Sequence, residues 1–389
     1  MKFILPAAFM AGLLAGPAFG EMKDAVAAYD RGDYALALRE FLPMALAGVP
    51  QARFDLGLMH ATGRGVPRDI ASAAMWYRLA ADQGFAPAQY EFGRLVAPAE
   101  GAAWFQRAAD QGYALAAFRL GLAYREGRGV PRSDVEAARF YRKAAEAGLA
   151  EAQSNLGLMH ERGDGVPRDE AEALRWYRRA AEQGQPEAQF NLGAMLEEGR
   201  AVAPDAAAAA AWYRRAADRG VVAAMNNLGV VLERGEGISG DPVQAYAWYE
   251  AASMRGGSGG AAEQAGRNRD QIAARLSLDE LTRARREAQQ ILARVPAAPT
   301  AAAPAEGPGA SGVPPSDKPL VVHIQESLRT LGYDPGPPQA RIGAKAASAI
   351  REFQADVGAP VTGEASEVLA LGLRAAVAAR LTMRSPVLR

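Results

Sequence analysis

The 389-residue chain has no cysteine. That absence removes disulfides, a thiol for N-terminal lipid attachment and sulfur ligands for a metal, so packing alone must hold the fold. Histidine is almost as scarce: His60, His160 and His323 are the complete set, and none has a second ligand beside it at metal spacing. Neither sign of charge predominates, since 44 Lys and Arg balance 44 Asp and Glu, which gives no electrostatic reason for a nucleic-acid partner. Past the N-terminal segment there is no run of about 18 apolar residues, so no membrane span is predicted. Also missing are a Gly-rich phosphate loop after a strand, a Ser-centred elbow and an H-E-x-x-H pair. Acidic pairs such as Glu197-Glu198 and Asp169-Glu170 read as helix capping and solubility. No catalytic residue, cofactor site or metal site is therefore expected.

What is present begins with Met1-Lys2, an apolar run from Phe3 to Gly16 and a small-residue end at Pro17-Ala18-Phe19-Gly20. A short positive region, an apolar core and a small-x-small end predict a secretory signal over 1–20, cut near Gly20. The mature chain is then expected in the periplasm, as a monomer.

Glycine and tryptophan are spaced with a fixed period. Gly57, Gly93, Gly121, Gly157, Gly193 and Gly229 lie 36 residues apart, except for one step of 28 between Gly93 and Gly121. Trp76, Trp104, Phe140, Trp176, Trp212 and Trp248 keep the same intervals, as do Gly84, Gly112, Gly148, Gly184, Gly220 and Gly256. Three rows sharing one deletion define a six-unit repeat array.

Within the unit at 151–186, Ala152, Leu156, Met159 and His160 recur at helical spacing until Gly163 and Gly165 stop them. That segment predicts helix A. After Val166-Pro167, Asp169 with Glu172 three residues on predicts a capping box and the start of helix B. Asp69, Ser133, Asp205 and Asp241 are the equivalent caps, and the deletion removes the cap of the second unit. Helix B carries Ala173, Trp176, Tyr177, Ala180 and Ala181 as its apolar stripe and ends at Gly184, a left-handed cap. Each unit is a helical hairpin that buries its apolar face only against neighbours. The fold class is all-α, an α-solenoid followed by a small three-helix domain.

These residues resemble the Sel1-like repeat, a relative of the tetratricopeptide repeat, over 51–257. Residues 21–50, with a short turn at Gly32-Asp33, resemble the tetratricopeptide-like unit that opens such arrays and are expected to cap the first end. Residues 258–294, with an S-x-x-E start at Ser277 to Glu280, are expected to cap the other. Resemblance to tetratricopeptide arrays implies that helix A lines the inner surface. A protein or peptide partner would then meet Phe54, Tyr90, Arg94, Phe118, Phe190 and Asn226, although packing between helices is the competing role for the aromatics. His60 and His160 share a repeat position with Tyr124, which favours packing over ligation.

From 295 to 319 the composition turns to Pro, Ala, Gly and Ser, a linker able to span about 60 to 75 Å if fully extended as polyproline. Residues 320–375 regain helical pattern, with Ile324, Leu328, Leu331, Ile350, Phe353 and Leu369 expected inward, and 376–389 are read as a tail. Gln325, Leu328, Leu331-Gly332-Tyr333, Gly336, Ile342-Gly343, Phe353-Gln354, Gly358 and Val361-Thr362-Gly363 are similar to the small peptidoglycan-binding domain of bacterial envelope proteins. The chain departs from that pattern at Gln339-Ala340, where Asp-Gly is usual, and at Ala346, where Thr is usual. The resemblance implies peptidoglycan as ligand, with Gln325, Tyr333, Arg341 and Gln354 as candidate contacts. A structural hydrogen bond competes with ligand contact for the two glutamines.

The expected function is a non-enzymatic periplasmic scaffold tethered to the wall. The alternatives are a cell-wall hydrolase, or a regulator of one, targeted by the C-terminal module, and a C-terminal module that serves as a second protein-binding site.

Overall fold

A computed structural model describes residues 18–256, 260–296, 320–339 and 341–384. Of the expected signal sequence over 1–20 and the expected linker over 295–319, residues 1–17 and 297–319 lie outside the described residues. The chain divides into two compact units, 1–97 with 307–389, and 98–306. The division falls at the deletion.

The first unit opens with α1 (Ala18–Asp30) and α2 (Tyr34–Leu46), joined at Gly32-Asp33 as expected, where the Asp33 side chain accepts from the Leu36 amide. The first repeat follows as α3 (Pro50–Thr62) and α4 (Ile70–Ala81), and the shortened second repeat contributes α5 (Ala86–Gly93), only 8 residues long. The second unit runs from α6 (Pro98–Asp110) through the hairpins α7 (Ala114–Glu126) with α8 (Asp134–Glu146), and α9 (Ala150–Arg162) with α10 (Glu170–Glu182). It continues with α11 (Pro186–Glu198) and α12 (Ala206–Ala217), then α13 (Val222–Arg234) and α14 (Pro242–Arg255). The expected closing pair is α15 (Gly260–Ala273) and α16 (Leu278–Arg294).

Each of the five full-length repeat hairpins closes on a glycine and a tyrosine. The rings of Tyr77, Tyr141, Tyr177, Tyr213 and Tyr249 press on Gly57, Gly121, Gly157, Gly193 and Gly229, where a Cβ would lie 2.6 to 2.9 Å from a ring carbon. These tyrosines are all 0–2 % exposed. Successive hairpins are joined by a second device absent from the expectations above. The buried amides of Gln89, Gln153 and Gln189 donate to the carbonyl oxygens of Ala81, Ala145 and Ala181, eight residues back in the preceding helix B, at 3.0 to 3.2 Å. Each of these C-terminal carbonyls accepts the glycine amide three residues on and gains a second donor from the next repeat.

The expected caps at Asp69, Ser133, Asp169, Asp205 and Asp241 each accept from the first turn of their helix. At Asp169 the box is only half made, because the Glu172 carboxylate pairs with Arg175 instead of turning back. The reciprocal box forms at Ser277 and Glu280.

The C-terminal module consists of α17 (Leu320–Leu331), α18 (Ala344–Asp356) and α19 (Glu367–Arg384). Ile324, Leu328, Ile350, Phe353 and Leu369 are inward as expected, all 0–2 % exposed. Residues 376–384, read as tail, continue α19, because Ala and Arg through this stretch sustain a helix and nothing there breaks it.

Candidate functional site

On the repeats, the residues proposed to meet a partner are held mainly by their own hairpins. Phe118 and Phe190 are half-buried and lie 5.7 and 5.9 Å, centroid to centroid, from Tyr141 and Tyr213. In the first unit Phe54 stands between Tyr77 at 5.6 Å and Phe85 at 5.5 Å. These are ordinary separations for aromatic packing, and each ring is only partly buried. Tyr90 is buried, while Arg94 is exposed, pairs with Glu91 at 2.8 Å and lies 5.8 Å from the Tyr90 ring. Asn226 does not face open solvent: it is 8 % exposed, and its Oδ1 accepts from Asn268 of α15 at 2.9 Å, so the closing helix occupies that position of the stripe.

A polar row was missed in the sequence. Glu161, Glu197 and Glu233, one repeat apart, each accept from the hydroxyl of the tyrosine sixteen residues on, Tyr177, Tyr213 and Tyr249, at 2.7, 2.7 and 2.9 Å. Burial first, and the carboxylate acceptor second, push all three phenols well above their ordinary range. Glu161 also takes Arg200 of the following repeat at 2.5 Å. Burial alone would raise Glu161, yet the Arg200 and Tyr177 hydrogen bonds outweigh it and hold the carboxyl below its usual value. Glu233 pairs in the same way with Arg275. Each carboxylate ties the two helices of its own hairpin, and Glu161 and Glu233 also reach the element that follows through Arg200 and Arg275. The signal was the 36-residue spacing itself, hidden because Glu197-Glu198 reads as a surface pair.

His160 lies 3.1 Å from an Arg142 nitrogen, and His323 accepts from Arg374 at 2.7 Å. His60 is 3 % exposed, and neither ring nitrogen meets a hydrogen-bond partner. Among the described residues no group of three His, Asp or Glu is placed to hold a metal ion.

In the C-terminal module the four candidates separate. Gln325, 1 % exposed, accepts from the Gln339 amide at 3.0 Å. Gln354 accepts from the amides of Thr362 and Gly363, both at 2.9 Å, and donates to the Thr362 hydroxyl. Both glutamines brace loops, the structural alternative stated for them. Gln325 holds the turn that lacks the usual aspartate, and Asp334 adds a second brace by accepting from the Gly336 amide at 3.0 Å. Tyr333 stacks edge-on against Phe353 and donates to Asp356 at 2.8 Å, while burial and that carboxylate push its phenol up to about 12. Arg341 is exposed. Tyr333 and Arg341 therefore remain the accessible pair.

The Sel1 repeat model matches six times, at 50–85, 89–113, 114–149, 150–185, 186–221 and 222–257, more than half of the chain. The chain belongs to the Sel1-repeat family. The short match at 89–113 is the repeat with the deletion. Over 317–369 this Sel1-repeat protein matches the family described as "Putative peptidoglycan binding domain". Among solved structures it is similar to a Sel1 repeat protein from Oxalobacter formigenes, with 30 % identity over 60 % of this chain and 96 % of the other, at a TM-score of 0.53. It is also similar to a protective antigen present in uropathogenic Escherichia coli strains, with 26 % identity over 72 % and 84 % of the two chains and a TM-score of 0.39. Curated proteins yield no match. Among the described residues no helix is long and apolar enough to cross a membrane.

Proposed function

We propose that this Sel1-repeat protein is a non-enzymatic adaptor of the periplasm: its solenoid holds a protein or peptide, and its C-terminal module attaches it to peptidoglycan. The observation that carries the reading is the presence, in one chain, of a repeat array and a match to a peptidoglycan-binding family. Fold alone assigns no partner, so the reading rests on what the surfaces offer. Half-buried Phe118 and Phe190, on helices A two repeats apart, suit apolar side chains of a peptide, and exposed Arg94 suits a carboxylate. On the module, Tyr333 offers a ring face for a sugar and Arg341 a guanidinium for a stem-peptide carboxylate.

The test is co-sedimentation of residues 21–389 with purified sacculi at low and high salt, beside Arg341→Ala and Tyr333→Ala. The intact chain should sediment, both variants should bind more weakly, and no muropeptide should be released. A chain that stays in solution at both salt concentrations would sink the wall attachment, and released muropeptides would sink the adaptor.

A further inference from the structure

The last helix is buried around more of its circumference than its own module covers. Leu369, Ala370, Leu371, Gly372 and Leu373 are all buried, and five successive residues at about 100° each sweep past a full turn. A helix that is apolar all round needs partners on more than one side. Within its module α19 packs on α17, and its other partner is α2 of the N-terminal hairpin, with which it shares one apolar core. The contact is shaped for close approach. A Cβ on Gly372 would lie 2.7 Å from one Leu46 methyl and 3.3 Å from a Leu42 methyl, so any side chain there must displace the ends of those two leucines. Beside it, the Cβ position of Gly358 lies 3.9 Å from the Cβ of Pro43.

We propose that α2 is the permanent seat of the chain's own C-terminal module, so that the module and the first hairpin form one body. The module is then not a weight at the end of a free tether. The corollary, that capture by the wall would hold the solenoid by its first hairpin, rests on the proposed function; the seam itself does not.

The absence of cysteine gives a clean experiment. Pro43→Cys with Gly358→Cys in the mature chain sets two Cβ atoms near the separation of a disulfide, about 3.8 Å. Oxidation at low micromolar concentration should yield an intramolecular crosslink, seen as a faster monomer band without reductant, whose yield does not change on tenfold dilution. A disulfide-linked dimer would mean that a second copy fills α2, and folded protein without a crosslink would mean that the seat is empty; either overturns the proposal. Because Gly358 has a φ of +70°, where cysteine is strained, a second measurement is made without it. In the otherwise unaltered chain, Gly372→Leu should speed hydrogen exchange of the Leu42 to Leu46 amides at least tenfold and leave α18 protected. Unchanged exchange in α2 also overturns the seam.

Discussion

A Cβ on Gly157 would meet the Tyr177 ring at 2.9 Å, so the hairpin of the third full-length repeat closes only because that position has no side chain. Gly157→Ala must push the ring or the helix aside, and overpacking of this kind costs about 1 to 3 kcal/mol. Gly148→Ala is the control: it meets open space but sits at φ +95°, so only backbone strain of about 1 to 2 kcal/mol applies. Urea midpoints of the two variants measure the costs. The two mechanisms separate when Tyr177→Leu, which softens the contact, is added, because it should reduce the penalty of Gly157→Ala and leave that of Gly148→Ala unchanged.

Gln153 joins two repeats through the Ala145 carbonyl, and the whole contact is buried. Gln153→Leu keeps the volume but leaves that oxygen with the Gly148 amide as its remaining donor, so the loss is the net worth of one hydrogen bond, about 0.5 to 1.5 kcal/mol. Met225, fully buried at the equivalent position two repeats on, shows that an apolar residue fits there sterically. The loss should therefore appear as reduced stability with helical content unchanged by circular dichroism.

The repeat period, the hairpins, the caps and the C-terminal module were legible because each depends on local spacing: glycine where the chain reverses, Asp or Ser where a helix starts, an apolar stripe between. What escaped was set by partners remote in sequence. Glu161 looks like any exposed helix-end carboxylate until folding brings Tyr177 and Arg200 to it, and Gln153 looks like a surface amide until the preceding helix end arrives. Gln325 and Gln354 drew notice as ligand candidates for the same reason that they prove structural, since an amide that both donates and accepts suits a loop as well as a sugar. The run LALGLRAAVAA carries the continuation of α19 past residue 375, which the reading of 376–389 as a tail missed, and nothing in it names the helix's second partner.

Burial holds the His60 imidazole down at about 4, although Asp69 pulls the other way. A pKa lowered in the folded state means that the unfolded chain binds the proton first, so stability present above about 6.5 is lost as pH falls towards 4. The loss is about 2 kcal/mol at pH 5. Tyrosine occupies the matching position at Tyr124, where it stacks on Phe140 at 5.6 Å. His60→Tyr should therefore gain stability relative to the parent chain as pH falls from 7.5 to 5, read from urea midpoints at each pH. Parallel pH profiles for the two proteins would show that the ring is not desolvated.

Asp55, one turn earlier on the same helix, carries the opposite dependence. Desolvation of its carboxyl raises it to about 7 against the Gln51 hydrogen bond, with Asp30 adding to the rise. A raised pKa stabilises the fold fully below the ordinary value near 3.8, and that contribution disappears as pH climbs through 7. The residue retains part of its surface, so water moderates the size but not the sign. Between about pH 4 and 6.5 the slopes of Asp55 and His60 oppose each other, and the parent chain should show little net dependence from the pair. Asp55→Asn keeps the shape and removes the titration, so its stability should rise with pH across this window, where that of His60→Tyr falls. Slopes of the same sign in the two variants would mean that the two groups do not balance within α3.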